Sequence, residues 1–444
     1  MSDVKIFKFG GSCLKQSNDL EAVVQRIVES SQGKTVVVVS ALHGVTDRIL
    51  ERLERKDRDS VPAFVSSIEM MHLEISPTLV NDIHYPKFRD ALAELSQALL
   101  DNCENSTEES RIRAQIAGEQ MSSIAVSAAV SACGIESEPI WSEDFGIEIH
   151  KVKGDSVIDI NSTKSSLDLP DASVLVVTGW YGMFNGKPAL LARGGSDLTA
   201  TSLAAVLNAS EVTIWRDVSG VLALSPRWAI PSRNLPYLSY TEAQELALFS
   251  EPVLHPFAVE PLRKEGIPLR LRPLHNPNNL GSSIGPSVAT GNPRVRAVGC
   301  LPNLVPLTMR LSGVMSVAKV VADATILLDR ARIRVWSLRA RPNEARFLVS
   351  QRASSHAMRL LSESPALPTA KLGNAISILC LVGESIGNND SITAEIEQFA
   401  VQSDLELTHL DEGKRDHALH YTVPDAMTQE ALVLLAKNFD LLMP

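Results

Sequence analysis

Short apolar runs separated by longer amphipathic stretches set the pattern of the first 290 residues. Val4 to Phe9 reads as a strand, broken by Gly10-Gly11-Ser12. Ser17-Asn18-Asp19 then precedes apolar positions at Leu20, Val23, Val24, Ile27 and Val28, a helical spacing. Val36 to Val39 is the next strand, β-branched throughout, as in the buried strands of parallel sheets. Such a β-α-β unit has a right-handed connection, and its strand ends point at the face where open α/β sheets carry their sites. Residues from about 47 to 134 read as mainly helical, and strands return at Ser173 to Val177 and Val212 to Trp215. Ser239-Tyr240-Thr241-Glu242 has the form of a capping box before another helix, and Ile267 to Arg272 reads as a late strand. These elements predict an α/β domain with a mainly parallel central sheet over residues 1–290.

The pattern changes beyond that point. Residues 276–303 concentrate Asn, Pro, Gly and Ser and read as a linker. Strand-like Val305 to Arg310, helical Val317 to Leu328, strand-like Ile333 to Leu338 and Ala345 to Val349, and helical His356 to Leu361 follow. The order βαββα recurs in Ile376 to Val382, Ile392 to Val401, Leu405 to Leu410, His417 to Val423 and Gln429 to Phe439. Two copies of one small α+β unit are expected, over 300–370 and 373–444, with strands of the two free to interleave. Met309 and Met315 read as core or rim residues of the first copy.

Composition narrows the function classes. The 444 residues are 45% hydrophobic and 21% charged, an ordinary globular balance. A formal net charge of −10 and a pI near 5.6 argue against nucleic acid or an anionic membrane as a partner. Any phosphate site must therefore be local. Cys13, Cys103, Cys133, Cys300 and Cys380 lie far apart, without zinc-ligand or disulfide spacing, which fits a reducing cytoplasm. The N-terminus lacks the form of a signal peptide, and no apolar stretch approaches the length of a membrane span, so a soluble cytoplasmic protein is expected.

Two glycine clusters carry candidate chemistry. Lys8 ends the first strand and Gly10-Gly11 follow, bringing a cation and unobstructed N–H groups to a helix start, which suits phosphate oxygens. Taken alone, the segment reads more readily as a strand-to-helix turn with a solvated lysine. In Arg193-Gly194-Gly195-Ser196-Asp197, paired glycines permit close approach, the arginine can grip a carboxylate, and the aspartate can orient a lysine. A capped helix start is an equal alternative reading of that segment.

Taken together, the motifs resemble the amino-acid kinase superfamily, and within it the aspartate kinases, from residue 4 almost to the end. Lys8-Phe9-Gly10-Gly11-Ser12 looks like the opening motif, with Ser12 in place of threonine. Val38-Val39-Ser40-Ala41 with Gly44-Val45-Thr46 looks like the second, and Gly118-Glu119 the helix-borne glutamate. Arg193-Gly194-Gly195-Ser196-Asp197, Asp217-Val218-Ser219-Gly220-Val221 and Val253-Leu254-His255-Pro256 follow in order. The tandem C-terminal units resemble ACT domains, which have a ferredoxin-like βαββαβ form. The fold implied is a three-layer amino-acid-kinase sandwich followed by two such domains.

The resemblance implies transfer of the γ-phosphoryl group of ATP to the side-chain carboxylate of L-aspartate, with Mg²⁺ bound through the nucleotide phosphates. It makes Lys8 and Asp197 catalytic, and assigns Ser40, Thr46, Glu119, Arg193, Gly194, Gly195 and Ser196 to the amino acid. Lys8, Gly10, Gly11, Ser12, Arg216, Asp217, Leu222 and Arg227 fall to the nucleotide. A homodimer or higher homo-oligomer and an amino-acid effector at the ACT-like units are further implications. Within 444 residues no fused homoserine dehydrogenase domain is expected. His255 reads as a turn residue before Pro256. Departures cluster on the nucleotide side: Arg216 for threonine or serine, Leu222 for tyrosine, Ser225 for aspartate, Pro252 for lysine and Ser250 for glycine. The loop from Ser312 to Lys319 lacks the usual glycine approach to an effector. A weakly active or inactive homologue acting as a binding subunit, and a kinase for another amino-acid carboxylate, are the competing readings.

Overall fold

Valine and isoleucine runs too short for helices become the centre of an eight-stranded sheet. The computed structural model describes residues 4–30, 33–152, 155–192, 194–249, 254, 256–288, 294–312, 316–410 and 417–443. It divides into two compact units: Met1–Val221 with Asn234–Ala247 and Pro252–Val288, and Leu222–Arg233 with Leu248–Glu251 and Ala289–Pro444.

The first unit opens with β1 (Lys5–Phe9), α1 (Ser17–Glu29), β2 (Thr35–Val39) and α2 (Val45–Leu53). The helical stretch continues through α3 (Val61–Ile75), α4 (Tyr85–Glu104) and α5 (Glu108–Ser131). Thr107 caps α5, its Oγ1 accepting from the Ser110 N–H at 3.1 Å, and Glu108 and Glu109 in the first turn suit the positive end of the helix. Next come β3 (Ser137–Ile140), α6 (Ser142–Phe145), a β4–β5 hairpin (Ile149–Val152, Asp155–Ile158) and α7 (Ile160–Ser166). After β6 (Val174–Thr178), the β7–β8 hairpin (Tyr181–Phe184, Lys187–Leu190) leads to α8 (Gly195–Leu207) and β9 (Glu211–Arg216). The unit closes with β10 (Tyr237–Ser239), α9 (Tyr240–Phe249), α10 (Glu260–Glu265), β11 (Leu269–Pro273) and β12 (Ser282–Gly285). Both arms of the capping box expected at α9 form, Ser239 N–H to Glu242 Oε2 at 2.7 Å and Glu242 N–H to Ser239 Oγ at 3.2 Å.

The sheet order is β10-β12-β11-β9-β1-β2-β6-β3, parallel except for the β11–β12 pair. Strand periodicity decides what each face meets. Phe7, Phe9, Val37, Val39, Val174, Val176 and Trp215 join a core with α1 and α5. The alternate positions Ile6, Lys8, Val36, Val38, Val212 and Ile214 are also buried, and α8 lies against β1, β2 and β9. Helices thus cover both faces, the expected three-layer α/β arrangement. Each fully buried valine contributes on the order of 1.5 kcal/mol relative to exposure, and all of β2 is buried.

The expected linker over 276–303 needs correction. Ser282–Gly285 is a sheet strand, held antiparallel to β11 and parallel to β10, and the next strand starts at Ala297. Polar, glycine-rich composition hid it because its pairing partners are distant in sequence.

The second unit comprises β13 (Ala297–Arg310), α11 (Val317–Arg330), β14 (Val335–Arg341), β15 (Glu344–Ser350), α12 (Gln351–Ser362) and β16 (Ala370–Leu372). It continues with β17 (Ile376–Val382), α13 (Asp390–Gln402), β18 (Thr408–His409), β19 (Ala418–Pro424) and α14 (Thr428–Asn438). The expected strand over Leu405 to Leu410 shrinks to Thr408–His409. The two α+β copies share one sheet, ordered β14-β15-β13-β17-β19-β18 with β16 beside β13. Strand β13 serves both: Ala297 to Leu301 pairs with β17, and Leu304 to Arg310 with β15. The register shifts between Leu301 and Leu304, where Pro302 offers no N–H and Asn303 has φ +58°. Met309 is a core residue there, as its sequence context suggests; Met315 lies outside the described residues.

Candidate active site

Strand parity places the first group of side chains. Lys8, at an even position of β1, points at α8 and away from the Phe7–Phe9 core. Arg216 lies two residues beyond Ile214, the partner of Lys8, and so turns to the same face. Asp197, in the first turn of α8, meets both: Lys8 Nζ lies 2.7 Å from Oδ1 and Arg216 Nη2 2.8 Å from Oδ2. Asp197 is 5% and Lys8 9% exposed. A carboxylate so buried is tolerated because its oxygens are paired with cations.

The glycine turn follows Lys8. A Cβ on Gly10 would stand 3.0 Å from Lys8 Nζ, and one on Gly11 3.0 Å from the Ala41 carbonyl oxygen. The absent side chains therefore leave room for the lysine and for the strand end beside it. Cys13 N–H donates to Gly10 O at 2.8 Å and Leu14 N–H to Gly11 O at 3.0 Å, closing a 3₁₀ turn that includes half-buried Ser12. Asp217, following Arg216, pairs with Lys15 at 3.1 Å. Burial acts to raise the Asp217 carboxyl, but Lys15 together with hydrogen bonds from its own backbone and from Ser12 outweighs it and holds the group below its usual range. Asp19 accepts from the Lys15 and Gln16 N–H groups at 3.0 and 3.2 Å and meets His275 Nε2 at 2.8 Å. Lys15, Asp19 and His275 were not anticipated from sequence; Asp19 at the third position of a helix was the available signal.

The second group gathers where β2, α5 and α8 converge. Ser40 donates to Ser196 Oγ at 3.0 Å. Gly179, after β6, has no room for a side chain, since a Cβ would stand 2.7 Å from Ser196 Oγ. Glu119 on α5 is 3% exposed; its Oε1 accepts from the Ala41 N–H at 3.3 Å, and its buried Oε2 has no partner. Burial pushes its carboxyl from 4.5 up to about 8. Gly118 permits this reach, because a Cβ there would stand 2.9 Å from Ala41 Cβ. Thr46 is half-buried in the first turn of α2, after Gly44 at φ +76°.

Gly194, at φ +84°, starts α8, and Gly195 packs against Leu191 and Trp180. Trp180 itself sits at φ +72°, an uncommon conformation for a bulky residue and a form of local strain. Its N–H donates to Thr199 Oγ1 at 3.2 Å. Sequence reasoning missed Gly179 and Trp180, although a glycine immediately after a buried strand was a usable signal. Arg193, Ser250, Pro252 and His255 lie outside the described residues.

Two expected nucleotide residues fall in the second unit. Half-buried Leu222 and exposed Arg227 belong to Leu222–Arg233, which that unit holds through Val298 N–H to Ala223 O at 2.8 Å and Arg233 N–H to Leu441 O at 2.9 Å. The Arg227 guanidinium stacks on Trp228 at 4.8 Å. An open cavity of about 1370 Å³ lies between the N-terminal part of α5 and the β7–β8 hairpin of the first unit. Among its charged residues, Arg113 pairs with Glu94 and with nearby Asp101, and Lys187 pairs with Glu109.

The arrangement offers two cations on one carboxylate beside a glycine turn, next to a buried glutamate with a free oxygen. It can neutralise phosphate charge and seat an ammonium group. Residues 3–273 match the model of the amino acid kinase family. The chain is 24% identical over 470 residues to the bifunctional aspartokinase/homoserine dehydrogenase of Haemophilus influenzae, covering 97% of this chain and 56% of that protein. It is 29% identical over 293 residues to chloroplastic aspartokinase 2 of Arabidopsis thaliana, covering 63% of this chain and 54% of that one. The chain thus spans about half the length of these curated relatives. Escherichia coli aspartokinase III, solved with aspartate and ADP, is similar with a TM-score of 0.81 at 20% identity, over 99% of this chain and 100% of that one. The Clostridium acetobutylicum aspartate kinase gives 0.78 at 18%, over 98% and 100%. Likeness at such identity establishes the fold.

Proposed function

The chain belongs to the amino acid kinase family, and on that premise we propose that it is an aspartate kinase, forming 4-phospho-L-aspartate from L-aspartate and ATP. The observation that carries this reading is Asp197 held between Lys8 and Arg216 beside the Gly10-Gly11 turn. The acceptor carboxylate, with a pKa of about 3.9 in solution, is already ionised and needs no base. Its oxygen forms the new bond to the γ-phosphorus as the bond to the β–γ bridging oxygen breaks. ADP leaves with that electron pair, and no proton moves.

The protein's work is positioning and charge neutralisation. Lys8, aimed by Asp197, offsets charge on the transferred group, and the N–H groups of Gly10, Gly11 and Ser12 donate to phosphate oxygens. Asp197 and Asp217 are each engaged by a cation, so Mg²⁺ would arrive on the nucleotide phosphates, supplying charge neutralisation there. Glu119 takes the α-ammonium on its open oxygen, Arg193 the α-carboxylate, and Ser40, Thr46, Gly194, Gly195 and Ser196 shape the pocket. Arg216, Asp217, Leu222 and Arg227 serve the nucleotide.

Residues 1–290 act as the catalytic domain, and 300–370 and 373–444 as ACT-like domains that bind an amino-acid effector and pair two copies into a homodimer, in the cytoplasm. Among the described residues, no helix is long and apolar enough to cross a membrane. The test traps acyl phosphate with hydroxylamine, using aspartate, glutamate and close analogues with ATP or GTP and Mg²⁺. Hydroxamate with aspartate and ATP is expected. Folded protein that gives none with any pair would end the kinase reading.

A further inference from the structure

Arg216 is placed to do more than balance Asp197. It ends β9 beside the end of β1, where the chain's strand order turns: β2 lies on one side of β1 and β9 on the other. Ligands in open α/β sheets bind at the carboxyl ends of strands at such a turn. The following residue, Asp217, ties β9 to Lys15 in the turn after the glycines, so the guanidinium is held next to the phosphate cradle.

The guanidinium is only partly used. It offers five N–H donors; Nη2 is spent on Asp197 Oδ2 at 2.8 Å, while Nε is buried and has no partner. A buried, unsatisfied donor is costly and signals an absent acceptor. Lys8 and Arg216 also outweigh the one carboxylate they share, so the pocket favours an anion. An anion with several oxygens fixed in a planar or tetrahedral array fits an arginine better than a single point charge would.

We propose that Arg216 is a second phosphate-binding cation of the transfer site: one donor stays on Asp197 while the others hold phosphoryl oxygens of the nucleotide. It shares with Lys8 the charge that develops as the phosphoryl group moves, the role an arginine supplied within the same chain plays in other phosphoryl-transfer enzymes. Asp197 is then the common pivot that keeps the two cations a fixed distance apart. The inference rests on the kinase reading and adds to it a positioned cation that acts on the nucleotide and not on the acceptor.

The test compares Arg216→Gln and Arg216→Lys in the full chain. Arg216→Gln is expected to lower kcat by about 100-fold and to raise KM for ATP, with KM for aspartate within about twofold of the parent; Arg216→Lys recovers part of the loss. A change confined to KM for aspartate, or none in kcat, overturns the proposal. In case the variants fold poorly, phenylglyoxal labelling of Arg216 in the unaltered protein is read by mass spectrometry. Mg-ATP is expected to protect it and adenosine not to; equal labelling in both overturns the proposal. Protection without any aspartyl hydroxamate would remove the acceptor assignment and leave Arg216 in place, whereas hydroxamate formation with Arg216 unprotected and dispensable would do the reverse.

Discussion

Asp197 is the residue on which the site turns, and replacing it or its partner Lys8 has different expected outcomes for stability. Replacing it with Asn leaves Lys8 and Arg216 without their shared anion in a buried place, a loss of about 3 kcal/mol or more. Asp197→Asn is therefore expected to lower the urea midpoint as well as abolish hydroxamate formation. Lys8→Met leaves Asp197 paired with Arg216; near-parental melting with activity down by about 1000-fold is expected from calorimetry and the hydroxamate assay. Glu119 carries a pH prediction. Its carboxyl is raised by burial from 4.5 to about 8, so the folded protein holds a proton there that the unfolded chain releases. Stability from this group is full below pH 4.5 and is lost as pH rises through 8. Glu119→Gln should flatten that part of the stability profile. Because an arriving ammonium would ionise the carboxyl, aspartate binding at pH 7 should release close to one proton, seen as a buffer-dependent heat in titration calorimetry. No buffer dependence would separate Glu119 from the ammonium.

At the level of elements, the site depends on how closely helices approach strand ends. Helix α5 brings Glu119 to the Ala41 N–H only because Gly118 has no side chain; a Cβ would stand 2.9 Å from Ala41 Cβ and 3.3 Å from Val45 Cγ1. Gly118→Val is expected to push α5 back, cost about 1–3 kcal/mol as an overpacked core does, and raise KM for aspartate more than KM for ATP. Equal rises in both would mean that the helix position does not govern the acceptor pocket. The periodicity of β1, β2 and α1 was legible in sequence because burial on both faces of a parallel strand selects β-branched residues, and a helix with one buried face repeats every three to four. Strand β12 was not, since Ser282–Gly285 is held by its register with β10 and β11 and carries no apolar signature. Trp180 escaped notice for a related reason: its left-handed backbone is imposed by Thr199 and by the Gly195 turn, not by its own propensity.

Across the whole molecule, the second, α+β unit is built on a single sheet shared by two copies of one motif. If it senses an amino acid, hydroxamate formation should change with lysine, threonine or a related effector, and sedimentation should report a dimer; a monomer indifferent to the full amino-acid panel would leave these domains without the proposed role. Sequence alone determined the class of each layer, which follows from local periodicity, and the residue types of the proposed phosphate cradle, where glycine's freedom follows Lys8, while the order of the motifs came from their resemblance to a family. Only the tertiary structure decided that Arg216 shares Asp197 with Lys8, that Glu119 reaches Ala41, and that β13 serves both small units. Each of those facts depends on which face a strand residue takes and which distant strand lies beside it, and register is fixed by packing across the chain rather than by neighbours along it.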